Sequence, residues 1–258
     1  MSVSSFIVNL TRLGLGLIAA LGLSMQTVTA QDEKSFSKSD IEKIVRDYLI
    51  ENPEILIEVQ QAFEAKQQQR LAERQKQTLA ERRDELYSGP YQVVIGNPDA
   101  EITVVEFFDY NCPFCARAID DMHRILSTND NVRFILKEFP VLGEGSVEAT
   151  QVSMALTKIY PEKYADFHER LLSLEGQKDA QIALQLAEEM GADISKIQTE
   201  MENPEIIETI RGTYQIADSL GITGTPSYVI EDEVVFGAVG YDELQDTLNS
   251  KIAQNEGN

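Results

Sequence analysis

One stretch constrains this chain more than any other: VVEFFDYNCPFCARAI, residues 104–119. A β-branched and aromatic run leads directly into Cys112 and Cys115 and then into an amphipathic continuation. A buried strand feeding a helix needs a sheet with that helix packed on it, which points to an α/β fold. Pro113 suits the first position of a helix, because proline has no N–H to lose there. Cys112 is then the N-cap, with its sulfur beside unpaired backbone N–H groups at the positive end of the helix dipole. A thiolate is stabilised at such a place and its pKa falls. Cys115 lies one turn inward, covered by its own helix. The spacing therefore predicts two roles, Cys112 as an exposed nucleophile and Cys115 as the thiol that resolves a mixed disulfide.

These are the only cysteines among 258 residues. A structural zinc site needs four ligands, and the remaining candidates are His123 and His168. His123 lies two turns beyond Cys115 on the same helix, too far to share a metal with it. His168 falls in a later helical block, and both histidines read as surface helix residues. A copper carrier can use a bare Cys-x-x-Cys, but no Met-x-x-Met or His-x-His cluster accompanies this one. A purely structural staple is a poor explanation, because so short a loop removes little chain entropy.

The N-terminus speaks to compartment. Residues 1–30 contain no acid and one base, Arg12. The apolar run 13–23 has the length of a signal-peptide core and is short for a membrane span. Val28-Thr29-Ala30 fits a cleavage site after Ala30, the alternative being an uncleaved anchor helix. Export to a periplasmic or other oxidising compartment is expected, and there one dithiol is not a disulfide framework. The net charge of −21 argues against nucleic acid as a partner.

Residues 31–89 read as an N-terminal helical region and linker. Ser39 and Glu42 have capping-box spacing, and Asn52-Pro53 opens a second helix. Ile41, Ile44, Val45 and Tyr48 form an apolar face, as do Ile55, Leu56, Val59 and Phe63. Such helices cannot build a core alone. They dock on the main domain or pair with copies of themselves, and the apolar faces favour self-association. Ala72, Leu79 and Leu86 keep a seven-residue spacing, a weak coiled-coil stripe. Ser88-Gly89-Pro90 marks a domain boundary.

From residue 90 to 258 the pattern is strand, strand, helix, strand, then helices over about 144–221, two short strands and a final helix. The βαβ unit requires a parallel strand pair. Glu106 interrupts the apolar strand before the cysteines. Buried there, its carboxyl would have a raised pKa and would relay the Cys115 proton; on an edge strand it would face water instead. Lys137, in the next strand, is a candidate partner for it. Thr225-Pro226 precedes a late strand as a turn signal.

Residues 104–115, Phe139-Pro140-Val141-Leu142 and Thr225-Pro226 together resemble the DsbA-type branch of the thioredoxin-fold family. The likeness runs from about residue 91 to the C-terminus. The two N-terminal helices are similar to those of the ScsC-like and Com-one-like exported proteins. The resemblance implies a thioredoxin-like fold with a helical insertion, preceded by an N-terminal helical segment. It implies that Cys112 attacks, that Cys115 resolves and that Glu106 is the family's buried acid. It also implies a cis Pro226 facing the dithiol, with Thr225 pairing its backbone to an extended substrate. Pro113 and Phe114 would flank that substrate. No cofactor is expected. The expected partners are cysteine-containing exported proteins and a membrane redox partner. The N-terminal region would mediate homo-oligomerisation, as a trimer in some ScsC-like members.

One departure bears on direction. The dipeptide between the cysteines is Pro-Phe, where DsbA has Pro-His, which removes a polar group beside the nucleophile. With Thr225 before the proline and the extra helices, this favours an isomerase over a strong oxidase. Two other classes remain open: a copper-binding or sequestering protein using the same sulfurs, and an antigen-like surface protein whose dithiol is vestigial.

Overall fold

The computed structural model describes residues 36–256. The signal peptide expected at 1–30 lies outside them. Among the described residues, no helix is long and apolar enough to cross a membrane. The described residues divide into two compact units, with the boundary between Ile57 and Glu58.

In the first unit, α1 (Lys38–Glu51) starts from Ser37, whose hydroxyl accepts the Asp40 N–H while the Asp40 carboxylate accepts the Ser37 N–H. The capping box expected at Ser39 and Glu42 therefore forms two residues earlier, on the serine that leaves Asp40 at the third helical position. α1 buries no residue. Ile41, Ile44, Val45 and Tyr48 are each more than half exposed.

α2 (Glu54–Glu81) opens after Pro53 and, from Glu58 onward, belongs to the second unit with α3 (Arg83–Tyr87). Leu79 and Leu86 are buried against Val105, Phe107, Ile135 and Val229. Their seven-residue spacing serves a packing face. The later part of the 31–89 region, for which docking was the alternative to self-pairing, thus contributes two side chains to this core. Polar contacts fix it further: Gln75 Nε2 donates to the Leu220 carbonyl at 2.8 Å, and Tyr87 OH to the Glu231 carbonyl at 3.1 Å.

The sheet comprises β1 (Val93–Gly96), β2 (Ile102–Phe108), β3 (Val132–Glu138), β4 (Ser227–Ile230) and β5 (Glu233–Phe236), in the order β1-β3-β2-β4-β5. β2 and β3 are parallel, joined by α4 (Pro113–Thr128); the other pairings are antiparallel. β2 is the central strand and every residue in it is buried, which is why it reads as a continuous apolar run with one acid. Alternation places Val104, Glu106 and Phe108 on one face and Val105 and Phe107 on the other.

The first face packs on α4 and on the helical insertion, α5 (Glu144–Ile159), α6 (Tyr164–Ser173), α7 (Ala180–Glu189) and α8 (Ile194–Met201). The second packs on α9 (Pro204–Leu220) and on α2 and α3. α10 (Tyr241–Glu256) closes the chain, with Leu244 and Leu248 in the first core. The architecture is a thioredoxin-like α/β fold with a helical insertion and N-terminal helices.

Gly221 ends α9 in the left-handed conformation, φ 75°. A Cβ there would come within 2.8 Å of Leu71 Cδ1 on α2. Gly221→Ala is expected to destabilise the protein by roughly 1–2 kcal/mol from the backbone conformation alone, read as a lower urea midpoint with unchanged slope.

Candidate active site

β2 ends at Phe108, and a short turn carries the chain to Cys112. The Asp109 carboxylate shapes that turn. One oxygen accepts the Asn111 N–H at 2.7 Å and the other accepts the Leu142 N–H at 2.9 Å. The Cys112 N–H reaches the Asp109 carbonyl at 3.0 Å. Cys112 is the N-cap of α4 with extended backbone, and Pro113 opens the helix.

Cys112 differs from expectation in its exposure: only 4% of its surface is accessible. The N-cap position does aim its sulfur outward from α4, but the Thr225 segment covers it. The Cys112 Sγ lies 3.2 Å from the Thr225 carbonyl oxygen, to which the thiol donates. The Thr225–Pro226 peptide bond is cis, and β4 begins at the next residue. β4 pairs with β2, Ser227 opposite Phe107, so the sheet brings residues separated by 113 positions together.

The two thiols are electrostatically unlike. The Cys112 pKa is lowered to about 5. The Cys115 thiol contributes most, followed after the opposing effect of burial by the Thr225 side chain and by the backbone N–H groups of Cys115 and Phe114. Burial pushes the Cys115 thiol far up, reinforced by its hydrogen bond to Cys112 and by the charge of Glu106. One sulfur is ready as a thiolate at neutral pH and the other holds its proton.

Glu106 is buried on the face that carries the dithiol, opposite Tyr228 of β4. Burial raises its pKa to about 8, with help from the Cys112 and Asp121 charges. It does not meet Lys137. In the parallel register Lys137 stands beside Phe107, on the other face of the sheet, and its ammonium donates to the Glu85 carbonyl at 2.8 Å. Burial lowers the Lys137 pKa to about 8. The expectation of a Glu106–Lys137 pair fails because strand alternation separates residues one register step apart.

His168 also departs from the surface reading. It is buried in the first core, edge-on to Phe108 at 4.6 Å and stacked on Tyr164 at 5.6 Å. Burial lowers its pKa to about 3, so it is a neutral aromatic packing element. His123 is at the surface, 2.8 Å from the Glu169 carboxylate. Among the described residues there is no group of three His, Cys, Asp or Glu side chains placed to hold a metal.

Two neighbours of the site escaped the sequence reading. Glu138, at the end of β3, is buried on the same face as Glu106, and burial raises its pKa to about 8. Ser153 donates to it at 2.7 Å and lies 2.7 Å from the Tyr110 hydroxyl. A glutamate ending an apolar strand was the available signal. Asn111, beside the nucleophile, gave none, since an asparagine before a helix reads as an ordinary turn residue. Phe114, in contrast, is 49% exposed beside the cysteines, with the Arg117 guanidinium 4.4 Å from its ring centre.

Comparison with known proteins agrees with this architecture. Residues 103–249 match the DSBA-like thioredoxin domain, and residues 38–70 match the copper resistance protein ScsC N-terminal domain. Disulfide bond formation protein D of Bacillus subtilis (strain 168) is 25% identical over 171 residues, spanning 62% of this chain and 77% of that protein. A thioredoxin-like oxidoreductase from Silicibacter pomeroyi DSS-3 superposes with a TM-score of 0.63 at 39% identity, covering 66% of this chain and 98% of that one. Proteus mirabilis ScsC in a compact conformation gives a TM-score of 0.63 at 31% identity, over 84% of this chain and 99% of that one. With the fold, the match over more than half its length and the N-terminal match all in agreement, the chain belongs to the DSBA-like thioredoxin domain family, in its ScsC-like branch, and is a thiol–disulfide oxidoreductase.

Proposed function

We propose that this protein is an exported disulfide isomerase in which Cys112 attacks and Cys115 resolves. The observation that carries this reading is the contrast between the two thiols, Cys112 lowered to about 5 and Cys115 pushed up. The Cys112 thiolate attacks one sulfur of a substrate disulfide. That bond breaks, the other substrate sulfur leaves as a thiolate, and a Cys112–substrate disulfide forms. In isomerisation, a thiolate of the same substrate attacks the mixed disulfide, forms a different substrate disulfide and returns Cys112 as thiolate, with no net redox change. If the substrate stalls, Cys112 is bonded to substrate and carries no charge. That removes one cause of the raised Glu106 pKa and frees more of it as carboxylate. The carboxylate takes the Cys115 proton as Cys115 attacks the Cys112 sulfur. The substrate then leaves reduced, and a Cys112–Cys115 disulfide remains for a membrane redox partner to reduce.

Thr225 and Pro226 would hold the substrate by its backbone as an added strand, with Pro113 and Phe114 against its side chains. Isomerisation is favoured over oxidation by Phe114, which supplies no polar group beside the sulfur, and by the N-terminal helices. The clients are cysteine-containing proteins of the same exported compartment. Residues 1–30 would direct export and be removed after Ala30.

Residues 31–89 would act as the oligomerisation region and linker, and 90–258 as the catalytic domain. The apolar face of α1 would pair with copies of itself, since Ile41, Ile44, Val45 and Tyr48 are each more than half exposed among the described residues. Truncation up to Ile57 is expected to give a lower solution mass with dithiol exchange retained and isomerase activity reduced. Truncation through Ser88 removes Leu79 and Leu86 from their core and is expected to destabilise the protein as well. Light scattering and urea melts separate these results; a parent-like mass after truncation to Ile57 would refute the assembly role.

The test of the whole reading is the Cys112–Cys115 equilibrium in a glutathione buffer, run beside refolding of scrambled ribonuclease. Rescue of the scrambled enzyme by the reduced protein is expected. A strongly oxidising dithiol without rescue would make the protein an oxidase. Tight stoichiometric Cu(I) capture with negligible insulin reduction would replace both readings with copper sequestration.

A further inference from the structure

Asn111 stands immediately before the nucleophile, and its side chain does not serve its own turn. Its Nδ2 donates to Ser146 Oγ at 3.0 Å and to the Lys178 carbonyl at 2.8 Å, and its Oδ1 accepts the Lys178 N–H at 2.7 Å. Both donor positions and one acceptor lone pair are therefore used. The paired contacts to Lys178 mimic one rung of a β-ladder, side-chain amide against backbone. Ser146 lies in the first turn of α5 and Lys178 in the loop before α7, and both are buried. The two partners come from separate parts of the helical insertion. They are packed closely: a Cβ at Gly145 would meet the Lys178 carbonyl at 2.9 Å. The main chain of Asn111 is held as well, through its N–H to the Asp109 carboxylate.

We propose that Asn111 is a positioning residue for the thiol chemistry, clamping the turn that carries Cys112 to both the α5 and the α7 side of the insertion. This rests on the reading of Cys112 as the attacking thiol. To stay stabilised as a thiolate, the Cys112 sulfur must keep its place at the N-terminus of α4, beside the backbone N–H groups of Phe114 and Cys115 and the Thr225 side chain. The Asn111 side chain restricts the turn immediately before that sulfur. Releasing it lets the turn move, so the sulfur drifts from the positive end of the helix and its thiolate is less stabilised. The ionisable groups facing the sulfur are Cys115 on α4, Glu106 on β2 and Tyr228 on β4. Asp109 and Lys178 face each other across the clamp. None of these is removed by changing Asn111, so a change in Cys112 ionisation would report its position.

The test uses full-length protein with Asn111→Ala and Ser146→Ala. The readouts are thiolate absorbance at 240 nm against pH and the equilibrium with glutathione. Wild type is expected to ionise near pH 5. Asn111→Ala is expected to raise the midpoint by about one unit and to make the dithiol about tenfold less oxidising, a shift of ~30 mV for a two-electron couple. Ser146→Ala, which breaks one of the three bonds, is expected to shift both readouts in the same direction by a smaller amount. A folded Asn111→Ala with wild-type titration and potential would overturn the clamp while leaving Cys112 as nucleophile. Should that variant not fold, Ser146→Ala decides on the same two readouts, and no shift overturns the proposal. Wild type without a thiolate below pH 7 would instead sink the reading of Cys112 and the clamp with it.

Discussion

Cys112→Ser is expected to abolish thiol–disulfide exchange, whereas Cys115→Ser keeps the first attack and accumulates the mixed disulfide. The two thiols are three residues apart in one helix, so the contrast comes from environment. With a pKa of about 5 against an ordinary 9.0, Cys112 has about a hundredfold more thiolate at pH 7 than an unperturbed cysteine. Cys115 has almost none, so it cannot replace Cys112 as the attacker. In the Cys115→Ser variant the mixed disulfide has no internal thiol to release it. Mass spectrometry after incubation with a disulfide-bonded peptide should show a one-to-one adduct for Cys115→Ser and none for Cys112→Ser. An adduct on Cys112→Ser would reverse the assigned roles.

The same asymmetry sets a pH dependence. The folded pKa of Cys112 is depressed, so its stabilising effect is fully present above the unfolded value of 9.0 and is lost as pH falls through about 5. At pH 7 the difference is about two units, or about 3 kcal/mol favouring the folded reduced protein. The oxidised protein lacks this thiolate. Reduced protein should therefore outlast oxidised protein in urea at pH 7 and lose that advantage near pH 4.

Glu106→Gln is expected to stabilise the protein at pH 7 while slowing resolution by Cys115. Burial raises the Glu106 pKa from 4.5 to about 8, so the folded state holds a proton that the unfolded state has released. The penalty is absent below about 4.5, grows between 4.5 and 8, and is constant above. At pH 7 it amounts to about 3 kcal/mol, which a neutral glutamine of the same shape removes. Because the Cys112 charge contributes to the raised value, the gain should be smaller in the oxidised protein. Urea melts at pH 4 and pH 7 test the stability, and quenched-flow release of a Cys112-linked peptide tests the proton transfer. Unchanged release with a stabilised protein would make Glu106 a passive buried acid. A variant destabilised at pH 7 would contradict the burial argument itself.

Slowed release in Glu106→Gln would make this carboxyl an instance of the compromise between stability and activity. Glu138 is a second buried acid on the same face. Its carboxyl is linked through Ser153 to Tyr110, two residues before Cys112, so the sheet face beneath the dithiol carries two acids with raised pKa values.

Local sequence was sufficient for most of what depends on near neighbours along the chain, the capping box of α1, which forms on Ser37 instead of Ser39, being the exception. The β2–α4 junction, the N-cap position of Cys112 and Pro113 at the helix start follow from residue type and short spacing. So did the unlike thiols, because a helix N-terminus and a turn of covering helix are local features. Tertiary structure decided whatever depends on which face or loop meets which. It put Lys137 on the far side of the sheet from Glu106, because adjacent strand residues point to opposite faces. It buried His168 in an aromatic core and used Leu79 and Leu86 as core residues. It covered Cys112 with the Thr225 carbonyl and tied Asn111 to Ser146 and Lys178. Those contacts join residues 35 to 113 positions apart. Their partners are set by strand register and helix packing across the whole domain, and no short window of sequence encodes either.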